Sequence, residues 1–164
     1  MKRKACSIIG LRPQALPFRE GDAQYLQMME KMGAAIQNAI KNDFTTFLSG
    51  GSMGPDVWFA ETVYMLKGIY PQIWLQFILP YEAQANRWPE HWRERYLDIL
   101  EKADDVVYLS QQYTPTCVYE RNKALIDRSA LLLAVYDGLS AGRTKHTINY
   151  AEKHNVEVVQ LLDF

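Results

Sequence analysis

Eight consecutive residues, Ser49-Gly50-Gly51-Ser52-Met53-Gly54-Pro55-Asp56, have the composition of a turn that meets an anion. Glycines let a backbone approach a ligand closely, Pro55 suits the first turn of a helix, and the unpaired N–H groups at a helix start favour negative charge. A phosphate is the chemistry such a turn serves, although an ordinary tight strand-to-helix turn has the same composition. A second run, Asp137-Gly138-Leu139-Ser140-Ala141-Gly142-Arg143-Thr144, repeats the pattern after the most apolar segment of the chain. A third, Gly10-Leu11-Arg12-Pro13, sets a guanidinium fork directly after an apolar run, fit either to clamp a phosphate or to make a surface salt bridge. A fourth, Leu79-Pro80-Tyr81-Glu82-Ala83-Gln84, is followed by Arg87 and Trp88 and offers polar and aromatic groups for a base or sugar, or simply for turn and packing duty. Trp88 and Trp92 share the spacing of one helix face and are expected in the core.

Turns of this kind act only if strands deliver them to one place. Short apolar runs at residues 5–9, 44–48, 73–79, 105–109, 131–136 and 156–161 alternate with longer segments of helical period. That alternation predicts an α/β fold: a Rossmann-like three-layer domain with a mostly parallel sheet and helices on both faces. In such sheets ligands sit beyond the carboxyl ends of the strands, where the four turns fall. Asp22 is placed as an N-cap, with Leu26, Met29, Gly33, Ile36 and Ile40 as the apolar face of the first helix. Further helices are expected from Pro55 to about Lys67, around Trp92, Tyr96 and Ile99, from about Pro115 to Arg128, and from about Thr144 to His154. With no repeat or Pro/Gly/Ser linker, residues 1–164 are expected to form a single domain.

Of the 164 residues, 48% are hydrophobic and 23% charged, an ordinary globular composition that excludes a wholly disordered chain. The net charge of −1 disfavours nucleic acid as a partner, because phosphate contacts dominate that affinity. Cys6 and Cys117 lack CxxC spacing, so reduced core thiols are expected and no metal site. The basic start MKRKACSIIG has too short an apolar run for a signal peptide, and no window approaches a membrane span, so a cytoplasmic location without membrane contact is expected. GxSxG, HExxH and GxxxxGK[ST] are absent, and His91, His146 and His154 are scattered. No catalytic residue and no cofactor follow from these patterns.

Taken in order, Gly10-Leu11-Arg12-Pro13, Ser49-Gly50 with Gly54 and Asp56, Ala60-Glu61, Leu79-Pro80-Tyr81-Glu82 with Gln84 and Trp88, Ala103-Asp104, Tyr113, Arg121-Asn122, Asp127, Tyr136-Asp137-Gly138, and Gly142 with Thr144 and Thr147 resemble the YpsA-like family of the SLOG superfamily. That superfamily also holds the DNA-processing protein DprA and the cytokinin-activating LOG enzymes. The resemblance implies a Rossmann-like nucleotide binder. A looser likeness to LOG enzymes, from Arg121 to about Thr147, matches Arg121 to an arginine used in splitting the N-glycosidic bond of a nucleoside monophosphate. Arg143 stands where those enzymes have a glycine, and His146 or Thr147 where they have a glutamate, which puts that hydrolysis in doubt. Ile9 and Leu11 also replace the threonine and histidine of a common TGHRP pattern.

The crevice left by these readings is lined by Gly10, Arg12, Ser49, Gly50, Gly54, Asp56, Glu82, Arg121, Asn122, Asp137, Gly138, Gly142, Arg143 and Thr144. The expected function is a module that binds or senses a nucleotide-like or ADP-ribose-like small molecule. The alternatives are an N-glycosidic hydrolase or transferase on such ligands and, from the likeness to DprA, single-stranded nucleic acid binding. Whether the chain is an enzyme stays open at this point. A sensor would need a protein partner, and the sequence leaves room for a homo-oligomer.

Overall fold

The computed structural model describes residues 4–163; residues 1–3 of the basic start and residue 164 lie outside it. Six strands, β1 (Ala5–Gly10), β2 (Thr46–Ser49), β3 (Trp74–Tyr81), β4 (Asp105–Ser110), β5 (Leu131–Val135) and β6 (Glu157–Gln160), form one sheet in the order β4-β3-β2-β1-β5-β6. Every pairing is parallel. Five helices connect them: α1 (Ala23–Lys41), α2 (Pro55–Lys67), α3 (Glu90–Lys102), α4 (Cys117–Asp127) and α5 (Arg143–Lys153). The helix contacts run α1 to α2 to α3 on one face and α4 to α5 on the other, giving the three-layer arrangement. No helix among the described residues is long and apolar enough to cross a membrane.

The central strands β1, β2, β3 and β5 are buried on both faces, which is why they read as continuous apolar runs rather than alternating ones. The larger core joins their inner face to α1, α2 and α3, with Phe47, Trp58, Phe59, Phe77 and Tyr96 as its largest fully buried members. Trp58 sits where the three helices meet. Its ring lies edge-on to Tyr25 of α1 at 5.0 Å and 6.1 Å from Trp92 of α3, and its indole N–H donates to Glu20 at 3.1 Å. Arg95 of α3 bridges Glu20 and Glu61 of α2 over the same corner.

Local differences from the sequence reading have identifiable causes. The first helix buries Met28, Met32, Ile36, Ala39 and Ile40, a stripe rotated from the expected one, and Leu26 is exposed. Asp22 is the N-cap residue, but its carboxylate accepts the Arg19 N–H at 2.8 Å instead of capping α1. The second strand starts at Thr46 rather than Phe44, because Asp43 takes a left-handed φ of 68° and the Phe44 N–H turns back to the Ala39 carbonyl. The third continues through Pro80, which is tolerated because β2 has already ended at Ser49, the partner of Phe77. Trp88 is not on a helix face with Trp92: Pro89 disfavours helical geometry at the residue before it, so α3 begins at Glu90 and Trp88 is left half-buried in the turn.

Because Trp58 ties three helices to one face of the sheet, Trp58→Ala is expected to lower stability by about 3–5 kcal/mol, and Trp58→Phe by clearly less. Urea unfolding followed by circular dichroism checks this. A loss below about 1 kcal/mol for the alanine variant would mean that the corner repacks without it.

Candidate functional site

The strand order reverses at β1. From β1 the chain moves outward through β2, β3 and β4 and then returns to place β5 on the other side of β1. The loops after β1 and β5 therefore diverge and leave a crevice at the carboxyl edge, the usual ligand position in open α/β sheets. A cavity of about 600 Å³ opens there and extends along the edge toward β3 and β4. At the reversal it is lined by Gly10, Leu11 and Arg12 after β1, and by Gly142, Arg143 and Thr144 at the start of α5. The two loops are joined where the Thr144 hydroxyl donates to the Gly10 carbonyl at 3.3 Å. Ser52 and Asp56 come from the β2–α2 segment, Arg121 and Asn122 from α4, and Tyr81, Gln84, Trp88 and Tyr113 from the loops after β3 and β4.

The β2–α2 loop is built around a side chain of the protein. The buried Arg121 donates through Nη1 to the Gly50 carbonyl, through Nη2 to the Ser52 hydroxyl at 3.3 Å, and through Nε to the Asn122 side-chain oxygen at 2.7 Å. A Cβ on Gly50 would lie 2.6 Å from Arg121 Nη1, so the glycine is required by the arginine packed against it. Gly54 has φ 89° and caps α2 against Pro13, a conformation that L side chains rarely adopt. Ser49 is buried, its hydroxyl donating to the Asp56 carbonyl at 2.9 Å and accepting the Gly51 N–H at 3.2 Å. Ser49, Gly50 and Gly54 thus shape the loop from behind, outside the cavity lining.

Electrostatically the cavity holds three guanidiniums against one carboxylate. Arg12 and Arg143 are exposed and form no ion pair among the described residues. The Arg143 guanidinium lies 5.9 Å from the centre of the Tyr119 ring, at the positive end of α5. Burial draws the pKa of Arg121 below its ordinary value, and the charges of Arg12 and Arg143 push the same way against the pull of Asp56. Asp56 is 4% exposed. Burial lifts its carboxyl to about 6, although Arg121, the Ser52 N–H and Arg12 all favour the anion. Its Oδ2 accepts the Ser52 N–H at 3.1 Å, and the Ser52 hydroxyl favours the anion as well.

The remaining sequence candidates lie elsewhere. Asp137 turns back on its own loop, accepting from the Leu139 and Ser140 N–H groups and from the Ser140 hydroxyl, which holds its carboxyl below the ordinary value. It borders a separate cleft of about 330 Å³ with Phe18 and Met28, and Gly138 gives that turn its φ of 77°. Glu82 is exposed and outside the cavity lining. His146 packs edge-on to Tyr119 at 5.5 Å, and the buried Thr147 hydroxyl donates to the Arg143 carbonyl, so neither supplies the cavity with a carboxylate's chemistry. Conversely, Tyr113 and Tyr119 line the cavity without having been singled out as site residues. Tyr113 follows β4 and obeys the same carboxyl-end rule that picked out the other turns.

A carboxyl whose pKa is raised on folding binds its proton more tightly in the native state, so its contribution is present at low pH and is lost as pH rises from the ordinary value through about 6. Above that, ionised Asp56 is a burden on the fold, of up to about 3 kcal/mol for a two-unit shift. Asp56→Asn is therefore expected to be more stable than the parent at pH 7.5, with the gap closing toward pH 4. Melting curves across that range test it, and a gap independent of pH would show that Asp56 ionises as it does in water.

A family model described as the YspA SLOG family (YpsA) matches residues 6–163. The UPF0398 protein YpsA of Bacillus subtilis is 30% identical over 160 residues, covering 92% of this chain and 85% of that protein. A UPF0398 protein of Bacillus velezensis is 28% identical over 153 residues, covering 92% of this chain and 84% of its own length. Among solved structures, DNA processing protein A from Helicobacter pylori, whose description concerns single-stranded DNA binding, superposes with a TM-score of 0.63 at 16% identity. The match covers 97% of this chain and 65% of that longer one, and it supports the fold alone. A family match over nearly every described residue, carried on the fold and glycine turns above, establishes that the chain belongs to the YpsA family of SLOG proteins.

Proposed function

We propose that this protein is a binding module for a phosphate-bearing, nucleotide-like or ADP-ribose-like molecule, whose occupancy it reports to a partner. The observation that carries the reading is the pair of unpaired arginines. Arg12 and Arg143 come from the two loops that diverge at the strand reversal, face one cavity, and form no ion pair among the described residues, the one carboxylate of the lining, Asp56, feeling the buried Arg121 first. A guanidinium at the positive end of a helix is disfavoured by about 0.3–1 kcal/mol, and an anion between the two would reverse that sign. Asp137 does not supply that charge to Arg143, since its carboxylate is committed to its own turn. A cavity of about 600 Å³ is in the usual range for a ligand of nucleotide size.

Turnover is the second reading, and Asp56 favours it: a buried carboxyl in the cavity lining, its pKa lifted to about 6, can carry a proton. Binding comes first because glycoside cleavage ordinarily engages two carboxylates, and the described lining supplies one.

Titration calorimetry with ADP-ribose should show Arg143→Ala and Arg12→Ala each weakening binding by about 1–3 kcal/mol, or roughly five- to 150-fold, with melting temperatures unchanged in the absence of ligand. Tighter binding by Arg143→Ala would mean that the guanidinium blocks the crevice. Product analysis on the same samples separates binding from turnover.

A further inference from the structure

The cavity is chemically ordered along the sheet edge. Tyr81 ends β3, Trp88 lies in the loop that follows, and Tyr113 lies in the loop after β4. Tyr81 and Tyr113 meet edge to face with centroids 5.7 Å apart, and Trp88 meets Tyr96 in the same way at 5.1 Å. Tyr113 nevertheless leaves 63% of its surface in solvent, and Trp88 is only half-buried. Aromatic faces left open beside a cavity are stacking platforms for a planar ring.

The middle of the cavity is polar. Asp56 follows β2, and Asn122 adjoins Arg121, whose guanidinium rests on the Gly50 carbonyl after the same strand. Both side chains are more than nine-tenths buried. Both line the cavity; Asp56 is held there by Ser52, and Asn122, whose Oδ1 accepts from Arg121, keeps its amide N–H donors free of any hydrogen bond among the described residues. An acceptor beside a donor is suited to the vicinal hydroxyls of a ribose. The far end is the Arg12 and Arg143 pair between β1 and β5.

The strand order sets the spacing of the ends. From between β3 and β4 to between β1 and β5 is three strand intervals, about 14 Å. The run of bonds from a base through one ribose to a single phosphate falls short of that span, and a second phosphate closes the gap. The excess of two guanidiniums over carboxylate in the lining matches the two charges of a diphosphate esterified at both ends and falls just short of those of a free one.

Resting on the phosphate-binding reading above, the geometry points to one ligand class in one orientation: a nucleoside diphosphate, free or extended by a second sugar. Its base stacks among Tyr81, Trp88 and Tyr113, its ribose lies at Asp56 and Asn122, and its diphosphate lies between Arg12 and Arg143.

Calorimetry with inorganic pyrophosphate, AMP, ADP and ADP-ribose, on the parent chain, Tyr113→Ala and Tyr113→Phe, tests this. ADP and ADP-ribose should bind at least tenfold more tightly than either AMP or pyrophosphate. In Tyr113→Ala the advantage of ADP over pyrophosphate should fall about tenfold, the worth of one stacked base, and Tyr113→Phe should keep it. The exposed position of Tyr113 lets both variants fold, and their melting curves verify it. Pyrophosphate binding as tightly as ADP, or an unchanged advantage in Tyr113→Ala, would overturn the base end while leaving the phosphate reading standing. AMP matching ADP would overturn the diphosphate. Binding of none of the four would overturn the phosphate reading and this proposal together.

Discussion

Arg121 lies buried midway along α4 and delivers its charge to the loop after β2, and the carboxyl edge of the sheet depends on that contact. A buried guanidinium must have its donors satisfied, and here the Gly50 carbonyl, the Ser52 hydroxyl and the Asn122 side chain do so. The same bonds pin the β2–α2 loop from one face of the sheet to a helix on the other. They fix Ser52, whose N–H holds Asp56, and with it they set Asp56 and Asn122 in the cavity lining. The positive field of Arg121 also explains why Asp56, though almost wholly buried, is lifted only to about 6. Loop, acid and cavity floor are thus consequences of one long-range interaction.

Around that anchor the sheet supplies the geometry. Reversal of the strand order at β1 parts the loops that carry Arg12 and Arg143, and the Thr144 hydroxyl bond to Gly10 keeps the parted loops in register. Apolar burial centred on Trp58 backs the strands on one face, and it reaches the cavity through Trp88, which packs on Tyr96. Rigid strands with chemistry confined to their loops are a common division of labour in this architecture. Arg12 and Arg143 form no ion pair among the described residues, so their guanidiniums add little to the stability of the empty protein.

The sheet and helices were legible because their signals are local: apolar runs, helical period, Pro55 at a helix start. The convergence of Gly10, Arg12, Gly142, Arg143 and Thr144 was legible too, since strand ends and glycines point to it. Features set by distant partners were not. Gly50 reads as a phosphate cradle until Arg121, 71 residues away, is seen to fill the space beside it. Asp137 reads as a counter-charge for Arg143, but its nearest donors are the N–H groups of its own turn. Trp88 has the spacing of a helix face, and the local rule that overrides it, carried by Pro89, was in plain view. Tyr113 gains its place only when the loop after β4 folds beside Tyr81.

The central claim is that an anion belongs between the loops after β1 and β5. A crystal structure of the protein grown with ADP-ribose tests it most directly. Diphosphate density is expected within hydrogen-bond distance of both the Arg12 and Arg143 guanidiniums, beside Gly10 and Gly142. Ligand density bound elsewhere, or a crevice in which Arg12 and Arg143 contact only protein at saturating ligand, would contradict it.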